Sequence, residues 1–428
     1  MADSTTKNIV ILGASFSGLS VAHYFLKHIL PSLPASSGPY HVYLINPSDS
    51  FYWRIGAPRV VVSNDLLPIS RSFYPIADGF TQYGSDRFTF IQGTATSLDT
   101  SARTVTVVPC TEDGAEQHDR TRQLPYYALV IATGTRTPSK ALSTHTTTKV
   151  AKDAIADLQT RLPRAKTVLI AGGGPAGVET AGEIGEQLNG RAGFAAKRPG
   201  KTHATITLVA GGSRLLSALR PALAKTAEGY LNKVGVDVIY NVKMESATPT
   251  GDGKTEVRLS NGETRVVDVF IPATGVEPNT EFLPAHLKNE KGYVKTNPST
   301  LRVDEAGPRV YCLGDVGTYT RGGVMDIYDA VPVIMTNISR DLHAAVGSEK
   351  NNGLPTGKDR AYKPNLKETQ LVPVGRSVGV GAVFGWKLPS TMVWAIKGRD
   401  YLTGAAPSIQ MGTKWKKDAV HKWTPVDA

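Results

Sequence analysis

Two glycine-rich runs carry the residue types and spacing that could hold a dinucleotide. Residues 166–185 read KTVLIAGGGPAGVETAGEIG. Gly172, Gly174 and Gly177 complete a G-x-G-x-x-G directly after an apolar β-branched run and before a helical stretch. The first glycine allows the tight turn, the second lets a pyrophosphate approach the backbone, and the third lets the helix pack on the strand. The helix N-terminus then presents free N–H groups and a positive dipole end to the phosphates. Near the start of the chain, GASFSG follows the apolar residues 8–12. Gly13 and Gly18 hold the first and third positions of the same pattern. Ser15, set among Ala14, Phe16 and Ser17, holds the second, which narrows the approach but offers a hydroxyl. Two such units on one chain predict a flavoprotein that also binds a nicotinamide nucleotide.

The second strand of each unit usually ends in an acid that holds the adenosine ribose. In the first unit, residues 40–46 end in Asn46, which can still hydrogen-bond a hydroxyl. In the second, Ala210 stands at that place, with Ser213 and Arg214 after it. No carboxylate repels a 2′-phosphate there and Arg214 can pair with one, so NADPH is allowed beside NADH. The run FYWRIGAPR at 51–59 sets aromatics and two arginines after a cofactor strand, either to wall a flavin or to pack a turn. ATG recurs at 132–134 and 273–275. Thr133, Gly134 and Gly275 are thereby placed where a strand end can touch a cofactor. Residues 310–313 lead into Gly314-Asp315, whose carboxylate suits a flavin ribitol or, more plainly, a helix N-cap.

These residues need two α/β units to position them. The fold predicted is α/β, with two Rossmann-like dinucleotide-binding domains and a short C-terminal domain. The FAD domain is assigned to 1–142 and 282–345, the NAD(P) domain to 143–281, and the last domain to 346–428. Further strands are predicted at 88–93, 103–108, 127–132, 236–240 and 266–272, with a type I′ hairpin at Asn261-Gly262. A chain of 428 residues can bury two or three cores. No apolar run has the length of a membrane span. A first strand at about residue 8 leaves no room for a cleavable leader, and Ala2 stands where myristoylation requires glycine. The only cysteines, Cys110 and Cys312, exclude a disulfide framework, a zinc site and the CxxC pair of dithiol reductases. No metal is expected. The net charge of +11 reads as a generally basic surface. Nucleic acid is not an expected partner, because that role needs a concentrated basic face with interleaved aromatics. The nearest approach is Lys414 to Lys417 with Lys422-Trp423, a composition that also suits an anionic membrane interface.

The order GASFSG, ATG, GGGPAGVE, ATG, LGD resembles the pyridine-nucleotide-disulfide-oxidoreductase superfamily without its cysteines. AYKP at 361–364, VPVGRSVGVG at 372–381 and KGRDYL at 397–402 are similar to the apoptosis-inducing-factor-2 or ferroptosis-suppressor group and its fungal relatives. Type II NADH dehydrogenases are a more distant likeness. The resemblance implies FAD on Gly13 to Gly18, Arg59, Thr94 and Asp315, and NAD(P)H on Gly172, Gly174 and Gly177. It implies that Glu179 lies near the nicotinamide and that Lys397 lies near the flavin ring. It further implies a two-step relay, from NAD(P)H to FAD and on to a quinone or another small acceptor. Glu179 would orient the nicotinamide or relay a proton, and Lys397 would stabilise negative charge. Two other functions stand as alternatives: oxidation or reduction of a specialised metabolite, and a non-enzymatic nucleic-acid-binding flavoprotein. A flavin monooxygenase would need a further glycine signature between the two sites. The expected location is cytoplasmic, with peripheral contact to a membrane or lipid droplet through the C-terminal segment, or mitochondrial association, as further expectations. The sequence names neither the acceptor nor the oligomeric state.

Overall fold

The structure is a computed structural model that describes residues 6–143, 146–346 and 358–415. Strand β1 (Lys7–Leu12) is buried from Ile9 onward, as a parallel strand between two layers must be. It leads into α1 (Phe16–Tyr24), every residue of which is buried. β1 pairs in parallel with β2 (Tyr40–Asn46), and β2 in turn pairs with β3 (Phe88–Asp99). β3 runs well past the predicted end and turns the sheet antiparallel through β4 (Thr104–Pro109) and β5 (Arg122–Pro125). On the other side of β1 lies β6 (Ala128–Ile131), also parallel.

The second unit opens with α2 (Thr148–Arg161), capped by the Thr147 hydroxyl on the Val150 N–H. It continues through β7 (Thr167–Ala171), α3 (Pro175–Asn189), β8 (Thr205–Ala210), β9 (Val236–Tyr240) and β10 (Val269–Pro272). These strands form an all-parallel sheet in the order β9-β8-β7-β10. A three-stranded antiparallel meander, Met244–Pro249, Thr255–Leu259 and Thr264–Val267, precedes β10. The strand expected over 266–272 is broken at Asp268, whose carboxylate accepts from the Lys166 and Thr167 N–H groups and so ends one strand and starts the next. The hairpin at Asn261-Gly262 is present with a different turn. Only Gly262 has positive φ (+85°), and Leu259 and Glu263 bond across the loop. A type I′ turn would need both central residues left-handed, so this is a three-residue loop with glycine in the αL position.

The chain then returns to the first sheet. β11 (Val310–Cys312) pairs in parallel with β6, completing the order β11-β6-β1-β2-β3-β4-β5. The last segment forms a small antiparallel sheet, β12 (Gln370–Val374), β13 (Val378–Val383) and Trp386–Lys387. It packs on α3, where a Cβ on Gly182 would stand 2.8–2.9 Å from Gly375 and Val374. Val372, Val374, Val380 and Ala382 thus share one core with Val178, Ala181 and Ile184.

Candidate active site

The two glycine loops are built alike. A Cβ on Gly13 would stand 2.3 Å from the Ala132 carbonyl, and one on Gly172 would stand 2.2 Å from the Ala273 carbonyl. Each first glycine therefore lies against the ATG strand end of its own unit. A Cβ on Gly18 would meet the Gly13 carbonyl at 1.7 Å, and one on Gly177 the Gly172 carbonyl at 1.9 Å, which seats each helix on its loop. At Gly174 an added Cβ would meet nothing within 4 Å, and the same holds at Gly134 and Gly275. Those three positions face open space of the kind a cofactor fills, so the residues present fit a dinucleotide in each unit.

Both units open on one cavity of about 560 Å³. Gly174, Glu179 and Gly275 line it from the second unit, Arg54 and Asp315 from the first, and Lys397 from the C-terminal segment. Asp315 accepts from the Gly323 N–H at 2.9 Å and pairs with Arg54 at 2.8 Å. It follows β11 rather than capping a helix. Gly314 has φ +90°, and an added Cβ would stand 2.4 Å from the Ser17 hydroxyl. The loop after β11 therefore presses against the start of α1.

Glu179 sits one turn into α3, buried at the cavity wall. Its carboxylate accepts from Lys397 Nζ at 2.5 Å, and the same ammonium donates to the Leu371 carbonyl at 3.1 Å. Burial pushes the Glu179 carboxyl up to about 7, outweighing the opposite pull of Lys397. Lys397 lies in a π-helical turn, Trp394–Gly398, a wide turn that recurs at functional sites. Tyr401 and Leu402 then adopt left-handed conformations (φ +53° and +59°), which turn the chain back and bury Tyr401.

The structure gives Arg59 and Asn46 other partners than expected and fixes the surroundings of the remaining residues. Arg59 is not turned to flavin phosphates. Its guanidinium is buried in a two-pronged pair with Glu183 (3.0 and 2.8 Å), donates to the Arg399 carbonyl, and stacks on Tyr401. The arginine of FYWRIGAPR that reaches the cavity is Arg54. Asn46 spends both ends of its amide inside the protein, accepting from the Ala14 N–H and donating to the Ser48 carbonyl. It braces the first glycine loop instead of standing free for a ribose. Ser15 and Asn46 border a cleft of only about 20 Å³. The Thr148 hydroxyl at the head of α2 bonds Ser48 beside it at 2.6 Å. Phe16 packs edge-on to Phe51, and Ser17 is buried. Thr94 lies mid-strand opposite Val108 on β4, half-buried. The Thr133 hydroxyl donates to the Asn279 carbonyl, while the Gly134 carbonyl accepts from the Asn279 N–H. Arg214 is exposed and donates to the Leu219 and Ser217 carbonyls of its own loop. Trp415 is packed against Tyr328 and buried, which removes it from any membrane-facing surface. Lys416, Lys417, Lys422 and Trp423 lie outside the described residues.

Sequence reasoning missed Glu183 and Tyr401, and of the two arginines in FYWRIGAPR it assigned the flavin to Arg59 rather than Arg54. Glu183 was detectable, because it stands four residues after Glu179 on the same helix face. Both cysteines are free and buried, and burial pushes the Cys312 thiol up to about 12 and raises that of Cys110, so neither offers a thiolate.

Residues 7–333 match the model of the pyridine nucleotide-disulphide oxidoreductase family. The chain belongs to that family. Its members use FAD and NAD(P)H, the two cofactors expected for the two glycine loops. Similar proteins include oxidoreductase phnG of Penicillium herquei, 42% identical over 97% of this chain and 98% of that one. Oxidoreductase ptaL of Pestalotiopsis fici is 34% identical over 91% and 95%. The human ferroptosis suppressor protein 1 is 23% identical over 97% and 96%, so that likeness is the weaker one. Among solved structures, NDH2 of Plasmodium falciparum shares the fold at a TM-score of 0.61 with 13% identity, over 96% of this chain and 99% of that one.

Proposed function

We propose that this FAD-dependent NAD(P)H oxidoreductase passes its electrons to a quinone. The observation that carries the reading is the single cavity shared by Gly174, Asp315 and Lys397, one from each part of the chain. Bound FAD supplies the redox step, taking two electrons from NAD(P)H and releasing them to the acceptor. The chain supplies position and charge. Gly174 leaves room for the nicotinamide pyrophosphate. Lys397 puts a positive charge on the wall where negative charge develops on an acceptor oxygen. Glu179, whose carboxyl burial raises to about 7, can take up or release a proton beside that ammonium, its oxygen 2.5 Å from Lys397 Nζ. Ala57, Pro58, Leu142 and Val276 give the cavity apolar walls. Trp394 and Ile396 are exposed on the turn that carries Lys397, an apolar surface that suits a flat apolar acceptor.

A second reading is a dedicated aromatic acceptor other than a simple quinone. It is favoured by the higher identity to phnG and ptaL than to the ferroptosis suppressors. The test is anaerobic: reduce the flavin with one equivalent of NADPH or NADH, then mix with short-chain ubiquinone. Rapid reoxidation is expected, slowed about a hundredfold in Lys397→Met, with the first half-reaction little changed, on the scale of one electrostatic donor. A reduced enzyme that ubiquinone does not reoxidise, while oxygen or another aromatic does, would overturn the quinone reading.

A further inference from the structure

The turn that follows β8 carries Arg214, and the segment after β9 brings Lys243 beside that turn. Ala210, buried at the strand end, takes the place from which a carboxylate would hold a ribose 2′-hydroxyl. After it, residues 211–214 are exposed. The turn is anchored to the nucleotide loop, since Leu216 N–H donates to the Gly173 carbonyl at 2.8 Å. It is anchored equally to the segment after β9. Asn241 N–H donates to the Gly212 carbonyl at 3.1 Å, and Val242 N–H to the Ala210 carbonyl at 3.2 Å. Those two bonds bring Lys243 across the turn. A Cβ on Gly211 would stand 3.0 Å from Lys243 Cγ and 3.5 Å from its Cε, so the lysine stem lies along the glycine. The Arg214 guanidinium donates to the Leu219 and Ser217 carbonyls at 3.0 and 2.8 Å. These neutral acceptors fix the planar group, and the carboxylate in electrostatic reach of it, Glu368, is itself held by Arg220. Carboxylates on neighbouring elements have partners of their own: Glu368 with Arg220, Glu245 with Arg258, Glu263 with Arg265, and Glu228 with the Tyr240 hydroxyl.

We infer that Lys243 and Arg214 form a subsite for the 2′-phosphate of the nicotinamide nucleotide, and that the protein prefers NADP(H) to NAD(H). A phosphate dianion would gain a forked arginine partner and a lysine point charge. A ribose hydroxyl at the same place would gain neither. The lysine comes from a different strand connection than the arginine, which explains why the sequence pattern around Ala210 suggested only permission for a 2′-phosphate. The inference concerns the nucleotide alone and stands whatever the electron acceptor proves to be.

The test is calorimetric titration of the FAD-loaded full chain with oxidised nucleotides, so that no turnover intervenes. NADP⁺ is expected to bind about tenfold or more tighter than NAD⁺, the scale of a hydrogen bond to a charged group. The probe 2′,5′-ADP is expected to bind measurably more tightly than 5′-AMP. Lys243→Gln should weaken NADP⁺ about tenfold and NAD⁺ less than about twofold, and Arg214→Gln should act in the same direction. Flavin content and melting temperature report on folding. Should Arg214→Gln loosen its loop and weaken both nucleotides, Lys243→Gln decides, because its backbone bonds to the neighbouring strand are kept. Equal affinity for NADP⁺ and NAD⁺, or a Lys243→Gln variant that weakens both alike, overturns the inference.

Discussion

Glu179 shows how far a single residue can be read from its environment. Its spacing within GVE marked it only by resemblance. The buried position beside Lys397 is what moves its titration to about 7. Unfolded, the same carboxyl titrates near the ordinary 4.5. The folded chain therefore holds an extra proton between those two values, and it loses stability as pH rises through that window. Glu179→Gln removes the titration and should flatten this slope. The melting temperature of the parent is expected to fall more steeply between pH 5 and 8 than that of the variant. Parallel curves for the two proteins would show that the group does not titrate there. Lys397 was likewise legible only by resemblance, since the π-helical turn that aims it leaves no periodic signature in WAIKGRDY. Arg59 was misplaced for the opposite reason. Two arginines five residues apart were equivalent in the sequence, and the packing of Glu183 chose between them.

At the scale of the element, α3 does two jobs. Its N-terminus faces the nucleotide loop, and its inward face carries Glu179, Glu183 and Glu186 at helical spacing. Each acid takes a base from another part of the chain: Lys397, Arg59, and Arg376 with Arg191. The helix and its glycines were plain from the pattern, but its partners were not, because every pairing spans from a handful to over two hundred residues. Removing one side of the Arg59–Glu183 pair leaves a buried charge alone, at a cost of about 3–5 kcal/mol. Arg59→Met is therefore expected to lower the melting temperature sharply, and adding Glu183→Leu to recover most of the loss. A double variant no more stable than the single one would mean that the pair is not the principal tie. The parallel strands of both sheets were legible because fully buried β-branched runs admit little else. The hairpin turn and the break at Asp268 were not, because each depends on hydrogen bonds to residues far along the chain.

For the whole molecule, among the described residues no helix is long and apolar enough to cross a membrane. Phe384, Trp386 and Met392 nonetheless leave large apolar surfaces exposed beside the turn that carries Lys397. Together with the basic tail they support peripheral contact with an anionic membrane as a proposal. Trp415 belongs to the core, so the truncation that tests the tail falls after Trp415. It should reduce sedimentation with anionic vesicles, each lysine lost contributing about 1 kcal/mol, and raise the apparent KM for a long-chain quinone. Flavin reduction by NAD(P)H should not change. Equal sedimentation of the two proteins would leave the tail as ordinary surface.

The seven-stranded sheet also imposes an order of events during synthesis. β11 lies beside β6 in space, yet roughly 180 residues of chain separate them, about 10–35 s of translation at ordinary elongation rates. Over that interval β6 emerges with one edge bare, while β7 to β10 of the inserted unit can already pair, leaving open the face of α3 that β12 and β13 later cover. Asp315 follows three residues after β11, so it reaches the flavin pocket only after the whole inserted unit has been made. The nicotinamide unit is thus expected to have its sheet paired on the ribosome while the flavin unit is still an open sheet, and flavin can be captured only after that insertion has been made.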